Sequence, residues 1–205
     1  MKILIVAATK AELVSFFDHF KLPDEDFLQT EKFDLLLTGV GMTATAFALG
    51  KHLNPSYQLV LNVGIAGSFD RNMALGSLVN ITTDVFAELG AENGDHFITI
   101  NELGFGENTF HASYALEDLP KVNAITVNKV HGNDLSIAKI QQQFTPQVES
   151  MEGAAVFYCC EQYSIPCIQV RSISNYVEER HRESWKIGLA INNLNDWAIE
   201  FLTHV

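Results

Sequence analysis

Val148-Glu149-Ser150-Met151-Glu152-Gly153-Ala154-Ala155 is followed, one helix and one strand later, by Arg171-Ser172-Ile173-Ser174-Asn175. The first stretch passes from a short strand into a small-residue helix and leaves a carboxylate, Glu152, at the junction. The second sets polar side chains at the C-terminal end of a buried strand, where α/β sheets bind ligands. Between them, residues 154–162 read as a helix whose alanines permit close packing, and residues 166–173 as a fully apolar inner strand.

The same alternation extends along the chain. Residues 2–8, 33–38, 59–63, 78–86, 96–100 and 122–127 read as strands, and residues 11–20, 43–53, 136–144 and 181–204 as helices. Ile187, Ile191, Leu194, Ala198 and Phe201 form one stripe on the last helix. This order predicts an α/β fold with a mostly parallel sheet covered on both faces. With no Pro/Ser linker, repeat or low-complexity tract, one domain over residues 1–205 is expected. Residues 87–114 break the pattern and read as an insertion of loops and short strands, of the kind that forms a lid or subunit contact.

The net charge of -12, from 25 acidic and 13 basic residues, argues against nucleic acid, which selects clustered Lys and Arg. The apolar start at residues 3–8 is short for a signal-peptide core and reads as a strand. No run approaches the roughly 20 apolar residues of a membrane span. Cys159, Cys160 and Cys167 lack metal spacing and suggest core filler in a reducing cytoplasm. His111, His131 and His181 have no mutual ligand spacing, so neither a metal nor a cofactor is expected. No Ser-His-Asp or Gly-x-Ser-x-Gly pattern is present.

Several positions admit a structural and a chemical reading. Thr9-Lys10-Ala11-Glu12 fits a capping box, yet Glu12 also stands at the mouth of the first βα unit, where a carboxylate could polarise water. Glu152 suits either a helix N-terminus or two ribose hydroxyls, with the Met151 backbone beside it. Thr38-Gly39-Val40-Gly41 is a glycine-rich turn without the third glycine of a dinucleotide fingerprint or the Gly-Lys-Ser/Thr of a P-loop. Asn62-Val63-Gly64-Ile65-Ala66-Gly67-Ser68 reads as a second turn at a strand end; the two together would floor a small-molecule cleft. The charged run 178–183 reads as a solvated helix start.

Taken in order, Val6-Ala7-Ala8-Thr9-Lys10-Ala11-Glu12, Thr38-Gly39-Val40-Gly41, Asn62-Val63-Gly64-Ile65-Ala66-Gly67, Met151-Glu152-Gly153-Ala154-Ala155 and Arg171-Ser172-Ile173-Ser174-Asn175 resemble the nucleoside phosphorylase/nucleosidase superfamily. Within it the chain resembles the bacterial methylthioadenosine/adenosylhomocysteine type and, through residues 86–92, 102–104 and 174–178, the futalosine-cleaving subgroup of menaquinone biosynthesis. The resemblance implies a three-layer α/β/α sandwich around a mixed, mostly parallel sheet, a homodimer, and cleavage of an N-ribosidic bond without a cofactor. It implies Glu12 and Asn175 as catalytic residues, Met151 and Glu152 at the ribose, Gly64, Ile65, Val130, His131 and Ser174 around the base and pocket, and Arg171 ordering the pocket. Adenine-releasing relatives often carry Asp at the Asn175 position and Ser at Ile65.

Asn cannot act as an acid, but its amide can donate to N7 or O6 of a 6-oxopurine such as hypoxanthine. A phosphorylase holds phosphate with glycine turns plus arginines. None of the four arginines lies in the Gly39 turn or the first βα loop, where Glu12 would repel phosphate, so water is the expected nucleophile. The expected substrate is futalosine, cleaved to dehypoxanthine futalosine and hypoxanthine. The alternatives are a methylthioadenosine/adenosylhomocysteine nucleosidase and a purine nucleoside phosphorylase.

Overall fold

A computed structural model describes residues 2–204. In chain order the elements are β1 (Ile3–Ala7), a 3-10 turn (Lys10–Leu13), α1 (Val14–Phe20), β2 (Phe27–Gln29), β3 (Asp34–Leu37), α2 (Met42–His52), β4 (Leu59–Ser68), β5 (Leu78–Phe86), β6 (Gly90–Asn93), β7 (His96–Thr99), β8 (Thr109–His111), β9 (Lys121–Thr126), α3 (Asp134–Phe144), β10 (Val148–Ser150), α4 (Gly153–Gln162), β11 (Cys167–Tyr176), a second 3-10 turn (Arg182–Ser184) and α5 (Ile187–Thr203). Nine strands form one mixed sheet, while β6 and β7 pair only with each other. The expected insertion therefore contains a separate hairpin.

β1 shows why the fold has this shape. Its side chains alternate in direction, as a strand's must. Leu4 and Val6 join a cluster with Leu49 of α2 and Val156 of α4. Ile3, Ile5 and Ala7 join another with Phe16 and Phe17 of α1 and Leu194 and Ala198 of α5. Each group of helices thus has its own apolar face to cover.

β4 is the central strand. Its first half pairs in parallel with β1, its last two residues pair antiparallel with β10, and β11 runs beside nearly its whole length. β10 in turn pairs with β9, β9 with β5, and β5 with β11. Strands β4, β11, β5, β9 and β10 therefore close into a ring, with β1, β3 and β2 extending as an open wing. This corrects the turn expected at residues 62–68, because the strand continues through Gly64 and Gly67 to Ser68. The paired backbone of β10 and β11 holds it extended where its composition suggests a break.

Two helix starts also differ. The predicted helix 11–20 begins as a 3-10 turn and becomes α-helical at Val14. The predicted helix 181–204 begins only at Ile187, after the second 3-10 turn. Helix α3 starts at Asp134, two residues before the expected position, because the Asn133 side chain accepts the N–H groups of Leu135 and Ser136.

The ring encloses a buried polar network. Arg171, 1% exposed, donates from Nε to Gln169 Oε1 at 3.0 Å and from a terminal nitrogen to Asn62 Oδ1 at 2.6 Å. Gln169 Nε2 donates to Asp84 Oδ2 at 3.1 Å, and Thr126 Oγ1 donates to Asp84 Oδ1 at 2.9 Å. Burial pushes the Asp84 carboxyl up to about 6, against the pull of its donors Gln169 and Thr126. Helix α4 begins against this network. A Cβ on Gly153 would lie 2.1 Å from Asp84 Oδ2 and 2.2 Å from Gln169 Oε1. Gly153→Ala is therefore expected to lose about 1–3 kcal/mol by overpacking. Gly50→Ala, at an open position of α2, should gain up to about 1 kcal/mol from helix propensity. Urea unfolding of the two variants checks the opposite signs.

Candidate active site

A cavity of about 650 Å³ opens where the loops after β1, β9 and β10 meet the ends of β4 and β11. Of the residues predicted from sequence, Glu12, Ile65, Val130, His131, Met151, Glu152, Ser174 and Asn175 all line it. Gly64 and Arg171 do not. Arg171 lies inside the strand ring, and Gly64 gives it room: a Cβ there would come within 2.0 Å of Arg171 Nη1. Gly64, expected in the base pocket, is thus corrected to a place behind the wall, where Arg171, expected to order the pocket, also stands.

Glu12 forms the capping box and also lines the cavity. The Thr9 N–H donates to Glu12 Oε2 at 3.0 Å, and the Thr9 hydroxyl lies 3.3 Å from the same oxygen. The Ile65 N–H on β4 donates to Oε1 at 3.2 Å. The turn is also tied to α5, since Asn195 Nδ2 donates to the Glu12 carbonyl at 2.8 Å. Burial pushes the Glu12 carboxyl above the ordinary carboxylate range, and the nearby Glu152 charge adds to this. The Arg171 guanidinium and the Ile65 N–H pull the other way.

Glu152 precedes α4 and is 7% exposed. Its Oε1 accepts the Gly41 N–H at 2.9 Å. Gly39 and Gly41 have φ of 80° and 95°, which favours glycine at both. The turn therefore spends the Gly41 donor on holding a carboxylate, where the sequence suggested that it would face a ligand. Glu152 Oε2 has no protein partner among the described residues, so it is free to accept hydroxyls.

Asn175 follows a register shift between β11 and β4 at residues 173–175. Its Oδ1 accepts the Ser174 hydroxyl at 2.8 Å, and its Nδ2 donates to the Tyr176 carbonyl at 3.0 Å. The second Nδ2 hydrogen remains for a ligand.

Other contributors lie outside the site residues named from sequence. Glu149, inside the stretch quoted at the outset, lies 2.7 Å from His131 Nδ1. Glu178 and Arg180, expected in a solvated helix start, line the cavity with Trp185. Arg71 pairs with Glu178, and the Arg180 guanidinium stacks 4.9 Å from the Trp185 ring centre.

Residues 30–204 match the Phosphorylase superfamily, and the chain belongs to it. Among its relatives, the chain is 31% identical over 182 residues to the futalosine hydrolase of Streptomyces coelicolor, covering 80% of this chain and 75% of that one. It is 30% identical over 168 residues to the 5'-methylthioadenosine/S-adenosylhomocysteine nucleosidase of Glaesserella parasuis, covering 74% and 71% respectively. The native structure of the Helicobacter pylori futalosine hydrolase superposes with a TM-score of 0.83 at 18% identity, covering 100% of this chain and 98% of that one, and shares the fold.

The raised Glu12 carboxyl has a consequence for stability. The folded protein binds this proton more tightly than the unfolded chain does, so stability falls as pH rises from the ordinary carboxylate value through the raised one. Glu12→Gln is uncharged throughout and escapes that loss. Whatever fixed offset the amide introduces, the difference in Tm should move in the variant's favour from pH 4 to pH 8. Melting curves of both proteins across that range check it.

Proposed function

We propose that the protein hydrolyses the N-ribosidic bond of futalosine, releasing hypoxanthine and dehypoxanthine futalosine in menaquinone biosynthesis. The observation that carries this reading is that one cavity gathers two carboxylates, Glu12 and Glu152, with an amide, Asn175, where a base-protonating acid would otherwise stand. The 31% identical futalosine hydrolase supports the choice of substrate.

In this mechanism ionised Glu12 takes a proton from water as the oxygen attacks C1′. Glu152 Oε2 and the Met151 backbone hold the ribose hydroxyls, and the Glu152 charge favours the oxocarbenium-like transition state. Asn175 Nδ2 donates to N7 or O6 of the departing base, beside Ile65, Val130, His131 and Ser174. Hydrolysis is favoured over phosphorolysis because Arg171 is buried among protein acceptors and Arg71 is paired with Glu178. A phosphate at the Glu12 wall would meet a carboxylate.

Cleavage of methylthioadenosine or adenosylhomocysteine is the second reading, favoured by the 30% identical relative. Futalosine, methylthioadenosine, adenosylhomocysteine and inosine, each with and without phosphate, should separate the two. Hypoxanthine release from futalosine, independent of phosphate, is expected; equal or faster adenine release would overturn the assignment. Glu12→Gln should lose most turnover, on the order of 100-fold or more, while still binding hypoxanthine. For the wild type, kcat should fall as pH drops through the raised range of Glu12, because only the ionised form accepts a proton.

We propose further that the chain is one domain with a three-layer α/β/α arrangement, supported by the division of β1 side chains between two helical clusters. No helix among the described residues is long and apolar enough to cross a membrane, and the free cysteines suit a cytoplasmic setting. A homodimer would cover a second hollow of about 640 Å³ lined by Met42, Phe86, Leu89, Ile100 and Phe105. Phe105 in its wall is 79% exposed, and Phe47, next to the lining residue Ala46, is 75% exposed, apolar surface of the kind that marks an interface. Phe105→Glu should shift the mass seen by light scattering from two chains to one.

A further inference from the structure

Asn175 has no proton to give, so the proposed reaction leaves the departing base without an acid. We propose that His131, held by Glu149, is the general acid that protonates the leaving purine. This rests on the reading that the cavity cleaves a purine N-riboside.

Glu149 grips His131 at two points. Its Oε2 lies 2.7 Å from ring Nδ1, and its Oε1 accepts the His131 backbone N–H at 3.0 Å. The side chains are 9% and 3% exposed, so the grip is not loosened by solvent. An atom facing a carboxylate at this distance carries its hydrogen in either state of the ring. With Nδ1 turned to Glu149, Nε2 is the ring atom left to meet a ligand, and it has no protein partner among the described residues. Imidazole is the side chain suited to giving and retaking a proton near neutrality.

The strand register brings this pair to the base position. Glu149 of β10 and Asn175 of β11 are both partners of Gly67 on β4, one on each side. A Cβ on Gly67 would lie 3.2 Å from Asn175 Nδ2 and 3.6 Å from Glu149 Cγ. The amide and the carboxylate that anchors His131 thus converge over one glycine, and all three side chains line the same cavity. The other charged groups lining that cavity are Lys129 beside His131, Glu178 and Arg180 from residues 176–186, and Glu12 and Glu152.

The step balances. The C1′–N9 bond breaks with its electron pair kept by the purine, and the water oxygen bonds to C1′. One water proton goes to Glu12, and His131 Nε2 gives one to a purine ring nitrogen. Solvent then removes the proton from Glu12 and returns one to His131. Asn175 contributes a hydrogen bond, and Glu149 is a positioning residue.

A structural cross-link between the residue 129–132 loop and β10 would have the same geometry, so the test uses the leaving group. A nucleoside methylated at N7 releases a neutral base without protonation. The readout is the kcat ratio of the unmethylated nucleoside to its N7-methyl counterpart. His131→Gln should lower that ratio on the order of 100-fold, and Glu149→Gln should lower it less, in the same direction. Hypoxanthine binding and melting curves show whether each variant keeps its site, and Glu149→Gln carries the test if His131→Gln does not fold. An unchanged ratio, with both substrates slowed equally or neither slowed, overturns the proposal. If the wild type releases adenine and no hypoxanthine, the futalosine reading falls; the same ratio measured on methylthioadenosine then still decides the role of His131.

Discussion

A guanidinium sealed inside a ring of strands sets most of what this molecule can be. Arg171 has lost its water and is held by two neutral acceptors, Gln169 and Asn62, while Glu12 and Asp84 act on it through space. Removing one of these acceptors would leave a buried charged N–H without a partner, which typically costs about 1–3 kcal/mol or more. The network also dictates its surroundings by volume. Gly64 and Gly153 are glycines because a methyl at either would collide with Arg171, Gln169 or Asp84. The charge reaches the cavity too. Glu12 sits between the open site and Arg171, so burial lifts its carboxyl while the guanidinium draws it back. A carboxylate that must be ionised to work, yet basic enough to take a proton, needs that kind of opposition.

Ring closure is the second constraint, and it follows from the length of β4. The strand is long enough to leave the open wing beside β1 and enter the ring beside β10. At that crossing stands Gly67, with β10 on one side and β11 on the other. Two segments far apart in sequence, 148–150 and 174–176, are thereby fixed on either side of one residue. The site owes its geometry to backbone pairing, so the side chains there are held by strands and by the turns that strands anchor.

Much of this was legible in the chain. Apolar runs and helical patterns located most of the strands and helices, but not β2 or β8, and the motifs around Glu12, Glu152 and Asn175 marked residues that share one cavity. What escaped reading was long-range. Gly64 and Gly67 look like a turn locally, and only pairing with β10 and β11 keeps them extended. Arg171 reads as a pocket residue from its motif, but its depth depends on ring closure. The pairing of Glu149 with His131 joins residues eighteen apart across a helix, with no spacing rule to announce it. The Glu178–Glu183 run is solvated as its charge predicts, with residues 179–183 exposed, but charge pattern alone does not tell a helix start from a loop whose Glu178 and Arg180 line a cavity.

The electrostatics of the cavity bear on the nucleophile as well. Opposite or like charges about 4 Å apart near a protein surface interact with roughly 4 kcal/mol. Glu12, Glu149, Glu152 and Glu178 line the wall against Lys129, Arg180 and His131. Arg180 stacks on Trp185, and Gly132 packs beside its Cβ. Ala8, Thr9 and Ala11, which line the cavity with Glu12, carry no charge, and the Arg171 guanidinium stands behind Glu12. A dianion there would be repelled by Glu12 and Glu152 together, whereas a sugar acquiring positive charge would be attracted by both. The preference for water over phosphate is therefore distributed over that whole wall. A single arginine introduced at the Gly39 turn would have to overcome two carboxylates, one of them already engaged by the Gly41 N–H.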